Sequence, residues 1–166
     1  PAYAWVLGGW DEAKERRPTP DEMQQIADLL HEAMDLGAVG FSYQRMGQFS
    51  AQPDFDGSPM ITDLITDEEL FYLGAELNKR GEGFIEMFDS LPTSFDTIEE
   101  FMTELARVAN RPLVRNILLA DVKRPERHRK FLKWLEDCHA EGLPVYGMAF
   151  TVRSPAFLTF EDWSLW

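Results

Sequence analysis

The sequence predicts an α/β fold of parallel strands alternating with helices, and three observations predict it. A helix-start signal, an amphipathic helix, a stop signal and a short apolar run follow one another four times along the chain. The apolar runs are hydrophobic at successive positions, the pattern of strands covered on both faces and connected by helices. The helix stops at Gly81, Asn110 and Gly142 lie about thirty residues apart, the length of one right-handed crossover unit.

The elements follow in order. Thr19-Pro20-Asp21-Glu22 is a capping box with proline at the first helical position, which satisfies two orphan amides and starts a helix. Met23, Ile26, Ala27, Leu30, Ala33 and Met34 repeat at helical spacing, and Gly37 is placed to follow the C-terminus. "AVGFS" is the first strand. Thr66-Asp67-Glu68-Glu69 opens a second helix with Leu70, Leu73, Gly74 and Leu77 on one stripe; Gly81 stops it and "GFIEMF" follows. Asp96 or Thr97 caps a third helix through Ile98, Phe101, Met102, Leu105 and Val108. That helix ends at Asn110-Arg111-Pro112, because the residue before a proline avoids the α region, and "LVRNILL" is the third strand. Pro125 opens a fourth helix through Phe131, Leu135 and Cys138, Gly142 closes it, and "PVYGMAF" is the last strand. The expectation is four parallel strands near 38–42, 83–88, 113–118 and 144–150, in sequential order, with helices on the outer face.

Four such units are half of an eightfold TIM-like barrel, although periodicity alone leaves a doubly wound sheet open. The 166 residues, 45% hydrophobic, make a single partial barrel domain spanning 1–166. In either fold the chemistry sits at the carboxyl ends of the strands. There the chain places the long polar loop after "AVGFS", ending in "DFDGSP", together with "DSLPTSFD" and "TVRSPAFLTFEDW". Long loops without structure of their own tend to be binding loops or lids.

Composition narrows the function classes. Lys plus Arg total 16 against 29 Asp plus Glu, a formal net charge of -13, so a phosphate backbone is repelled and nucleic acid is not an expected partner. No apolar run approaches the roughly 18 residues of a membrane span, and the N-terminal stretch lacks the basic-then-apolar layout of a secretory signal. The chain reads as soluble and cytoplasmic; because it begins at Pro1, a targeting segment upstream stays open. The lone Cys138 has no partner for a disulfide or a CxxC zinc site and reads as a small packed apolar side chain.

The candidate site residues lie on the strands. Ser42 and Arg45 fall at the end of the first, where a guanidinium can grip a substrate carboxylate bidentately; the alternative is a solvated loop arginine. Glu86 and Asp89 end the second and suit a general base or metal ligand if desolvated; the alternative is a salt-bridged carboxylate. Arg115 and Asn116 are polar inside an apolar run, so one of them faces the sheet interior and needs a partner. Arg153, just past the fourth strand, completes the substrate-facing set. His31, His128 and His139 all fall on helices and read as structural or surface residues. HxH, HExxH, GxSxG, P-loop and GxGxxG motifs do not occur. The aromatic tail "FLTFEDWSLW" suits core packing, a lid or an interface.

A wider resemblance covers nearly the whole chain. The run "WVLGG…AKERRPTPDEM…LLHEAMDLGAVGFSYQR…DFDGSP…TDEEL…LNKRGEGFIEM" resembles the middle of the N-acyl-D-amino-acid deacylase (D-aminoacylase-like) branch of the amidohydrolase superfamily. "ARVANRPLVRNIL" and "AEGLPVYGMAFTVRSP" resemble later strand entries of the same branch. Gly37, Ala38, Gly40, Phe41, Ser42 and Arg45 carry most of the specificity. The resemblance implies a longer enzyme with a TIM-like barrel that hydrolyses a non-peptide C–N (N-acyl amide) bond of a small-molecule substrate. It implies zinc or another divalent metal, held partly by an HxH motif on the first barrel strand, and a catalytic Asp from the last. Deacylases of the branch also place His on the fifth and sixth strands, which here correspond to "GFIEMF" and "LVRNILL" and contain none. The fragment alone is therefore expected to hold no metal, to be inactive, and to self-associate through its open sheet edges. The alternative function is a non-catalytic α/β binding or assembly module on the same scaffold.

Overall fold

A computed structural model of the chain describes residues 2–46, 53–89, 94–120 and 123–149. The elements are α1 (Ala2–Leu7), α2 (Trp10–Glu15), α3 (Pro20–Asp35), β1 (Gly40–Arg45), a 3-10 turn at Ile61–Leu64, α4 (Asp67–Arg80), β2 (Phe84–Asp89), α5 (Ile98–Ala109), β3 (Leu113–Leu118), α6 (Pro125–Ala140) and β4 (Val145–Ala149). The four strands form one sheet in the order β1-β2-β3-β4, and every neighbouring pair is parallel.

Local chemistry sets most helix boundaries. Thr19, Thr66 and Thr97 each cap a helix through a reciprocal capping box with Glu22, Glu69 and Glu100, so the first orphan amides of α3, α4 and α5 are satisfied by side chains. Thr97, not Asp96, is the cap of α5. Gly81 and Asn110 end α4 and α5 in the left-handed conformation, where a short polar side chain or none is favoured.

The first strand departs from its expected span. It runs Gly40–Arg45 where 38–42 was expected, because Tyr43 and Arg45, beyond the expected span, turn into the helix layer and are 5% and 3% exposed. Gly40 begins the strand at φ 137, and a Cβ there would stand 2.0 Å from the carbonyl oxygen of Phe84, so the pairing of β1 with β2 starts at a position that only glycine fills. The helices α1 and α2 carry no stripe long enough to read from sequence, each being six residues. They are ordered by tertiary contacts instead. Arg17 grips Glu69 through Nε and Nη2 at 3.0 and 2.9 Å, and the Tyr3 hydroxyl donates to the same carboxylate at 3.4 Å. Burial first, then the neighbouring Glu69 charge, pushes the Tyr3 phenol well above its ordinary range.

The core lies on one side of the sheet. Tyr43, Ile85, Met87, Leu113 and Val145 join Leu70, Leu77, Phe101, Met102 and Leu105 in one buried cluster. The sheet's other contacts with helices leave from the same alternate positions. Arg45 sits over the Phe101 ring, Arg115 over Phe131 and Trp134, and Gly147 leaves room for Phe131, whose Cε1 would stand 2.7 Å from an added Cβ. Phe71 of α4, Phe95 and Phe101 of α5 pack ring to ring at 5.5–6.0 Å. Cys138 is buried on α6, 3.8 Å from the Thr103 hydroxyl. Among the described residues no helix is long and apolar enough to cross a membrane.

Candidate functional site

The side chains that point away from the helices form a second face. Because successive residues of a strand alternate in direction, Ser42, Glu86 and Asn116 share that face: Ser42 pairs with Glu86, Glu86 with Val114, and Asn116 lies two positions beyond Val114. Asn116 Nδ2 donates to Glu86 Oε1 across the β2/β3 pair at 3.0 Å. Ser42 is exposed, and Glu86 and Asn116 are half-buried. Phe84 and Phe88 flank Glu86 at the two neighbouring positions of the same face, and Tyr146 and Met148, 49% and 47% exposed, continue it onto β4. Three of the sequence candidates are thus brought together.

Arg45 is not with them. Its guanidinium points into the helix layer, where Nε and Nη2 donate to Asp89 Oδ2 at 3.0 and 2.7 Å. Nη1 donates to Asp67 Oδ1 at 2.7 Å and to the Ile65 carbonyl at 3.1 Å. With all three nitrogens engaged by Asp89, Asp67 and the Ile65 carbonyl, the guanidinium has no fork left for a substrate carboxylate, so the expectation of a substrate-gripping Arg45 is corrected by its position. Asp67 in turn accepts from the backbone N–H and the hydroxyl of Ser94 at 2.5 and 2.6 Å. Burial raises the Asp67 carboxyl, but the bonds from Ser94 and Arg45 outweigh it and hold the group below the usual carboxylate range. The cluster ties the end of β1, the end of β2, the start of α4 and the segment entering α5 to one another. Asp89, a candidate base or ligand by sequence, belongs to this cluster and faces away from Glu86.

Arg115 likewise turns to the helices and pairs with Glu99 at 2.6 Å, which leaves Asn116 as the polar residue of β3 on the open face. Arg153 lies outside the described residues. Of the histidines, His31 meets Glu76 at 3.2 Å, and His139 places Nε2 2.6 Å from the Val145 carbonyl on the outer side of β4, where it covers part of a strand edge.

The long loop after β1 is anchored at its ends. The buried carboxylate of Asp63 accepts from the amide of Met46 at 2.6 Å and from that of Met60 at 3.3 Å. Lys14 of α2 reaches over to Asp54 at 2.6 Å, Ser58 at 2.7 Å and Asp56 at 3.7 Å. The roles of Asp63, Asp67 and Lys14 are not legible in the sequence. Asp67 carried one signal, a place in the first turn of a capped helix; Asp63 and Lys14 carried none, because their partners are set by chain crossing.

Among the described residues no group of three or more His, Cys, Asp or Glu side chains is placed to hold a metal ion. Glu86 with an amide and a hydroxyl is a poor donor set for a catalytic zinc, which takes three strong protein ligands. The face offers three acceptors, the second oxygen of Glu86, Oδ1 of Asn116 and Oγ of Ser42, beside the second N–H of Asn116 and the hydroxyl hydrogen of Ser42. Compared with family models, with curated proteins and with solved structures, the chain gives no match.

Proposed function

We propose that this chain forms about half of the barrel of a metal-dependent amidohydrolase that cleaves a non-peptide C–N bond, and that it supplies substrate-binding wall, not metal centre. The observation that carries the reading is the sheet itself: four parallel strands in sequential order, with helices packed from one set of alternate residues and a polar Glu86–Asn116 pair on the other face. A doubly wound sheet reverses its strand order and carries helices on both faces, whereas a (βα)8 barrel keeps sequential order and turns one face inward. The resemblance of the Gly37–Arg45 segment to the D-aminoacylase-like branch supports the reaction type.

Glu86, Asn116 and Ser42 do not make a donor set for a divalent metal. The part of this chain is to hold the substrate: Glu86 and Asn116 fix a hydrogen-bonding group against β2 and β3, and Ser42 bounds the site on β1. The gene product that contains this chain, loaded with zinc or another divalent ion, should release amine from small N-acyl compounds. Glu86→Gln should raise KM about tenfold or more with kcat largely kept, the pattern for lost uniform binding. Absence of amide hydrolysis across a panel of acyl compounds, or unchanged kinetics in Glu86→Gln, would overturn the proposal. A second reading, a non-catalytic assembly module, draws on the exposed Tyr146 and Met148 at the edge strand. It expects self-association of the chain by light scattering together with no turnover in the gene product.

A further inference from the structure

We infer that the open face recognises a protonated amine and not a carboxylate, so that the substrates of this site are small molecules carrying an ammonium group. The inference rests on the reading of this face as substrate wall and names the ligand class that it takes.

The charge on the face decides the sign. At its described positions, Gly40, Ser42 and Gln44 on β1, Phe84, Glu86 and Phe88 on β2, Val114 and Asn116 on β3, Tyr146 and Met148 on β4, the one charged side chain is the Glu86 carboxylate. The two arginines within these strands, Arg45 and Arg115, are both turned to the helix side and held there by Asp67, Asp89 and Glu99. A ligand carboxylate brought to this face would meet a like charge with no strand cation to offset it.

The hydrogen-bonding complement agrees. Asn116 gives an N–H to Glu86 Oε1 at 3.0 Å, which orients the carboxylate and turns the amide so that its remaining oxygen is an acceptor. Glu86 Oε2, Asn116 Oδ1 and Ser42 Oγ then present acceptors from three adjacent strands, and an ammonium group carries three donors and no acceptor. Phe84 and Phe88 stand two positions to either side of Glu86 on the same face, apolar surface against which the methylene groups of an amine can pack.

The test uses two probes of equal size and opposite charge, butylammonium and butyrate, titrated at matched ionic strength into the isotopically labelled 166-residue chain and followed by amide chemical shifts. Butylammonium should shift the signals of Ser42, Glu86 and Asn116 saturably, and butyrate should not. Glu86→Gln should weaken butylammonium about tenfold or more, the value of a hydrogen bond to a charged group. Asn116→Lys should abolish probe binding by supplying an ammonium from the chain itself. Tighter binding of butyrate than of butylammonium by the unsubstituted chain, no saturable shift with either through tens of millimolar, or equal butylammonium affinity in Glu86→Gln would overturn the inference. The probes report binding without turnover: failure of the gene product to hydrolyse amides sinks the enzyme reading and leaves the ammonium result standing, while preference for butyrate does the reverse.

Discussion

Replacing Arg45 with methionine keeps the apolar stem of the side chain and removes the cation that Asp67 and Asp89 share. In the native chain Arg45 is 3% exposed, the Asp89 side chain is fully buried and that of Asp67 is 7% exposed. Removing one partner of a buried ion pair costs about 3–5 kcal/mol, because the charge left behind has lost both water and its counterion. For a chain of this size that corresponds to a drop of about 6–20 °C in Tm. The pH dependence gives the argument a second check. Asp67 is held below its ordinary pKa in the folded state, so its contribution is present above the unfolded carboxylate value and fades as pH falls through the depressed one. In Arg45→Met the bonds from Ser94 remain, but the pair with Arg45 does not, and a buried carboxylate without a counterion favours its neutral form. The penalty of the substitution should therefore be largest near neutral pH and shrink on acidification toward the carboxylate range. Urea denaturation at a series of pH values measures both. A loss below about 1 kcal/mol at neutral pH, the range of a surface pair, or a loss that stays constant as pH falls, would refute a buried, charge-balanced Arg45.

Leu105→Ala should cost about 2–5 kcal/mol in the same assay, since Leu105 is fully buried and its Cδ1 would stand 3.1 Å from a Cβ added at Gly74 on the facing helix α4. Gly40→Ala should destabilise by more than about 1 kcal/mol, because it combines a positive φ with a clash against the Phe84 backbone; hydrogen exchange should show the loss first at the β1/β2 pairs. Cys138 should react with a thiol reagent slowly in the native chain and fast after unfolding. Burial raises its pKa, so the native rate should keep climbing at pH values above the usual thiol range, and a native rate equal to the unfolded one would contradict the packing.

The helices of the repeat were written in local chemistry. A threonine three residues before a glutamate, a glycine or asparagine at the far end and a stripe of apolar residues between them act within a few turns of chain, so α3, α4 and α5 could be read from Thr19, Thr66 and Thr97 without knowing what they pack against. The apolar runs "GFIEMF" and "LVRNILL" likewise fell on β2 and β3, because a strand covered by a helix layer must be apolar whatever its neighbours are. Tertiary structure alone decided the direction in which each polar strand residue faces. Arg45 and Ser42 sit three positions apart and Arg115 and Asn116 one apart, and such odd spacings place them on opposite faces of a pleated strand. Which face is inside depends on where the helices dock. That docking gave Arg45 to Asp67 and Asp89, and Arg115 to Glu99, and left Glu86 with Asn116 on the other side. The ion pairs join residues 16 to 44 positions apart, too far along the chain for any local pattern to announce them, and it is their geometry that makes the open face acidic.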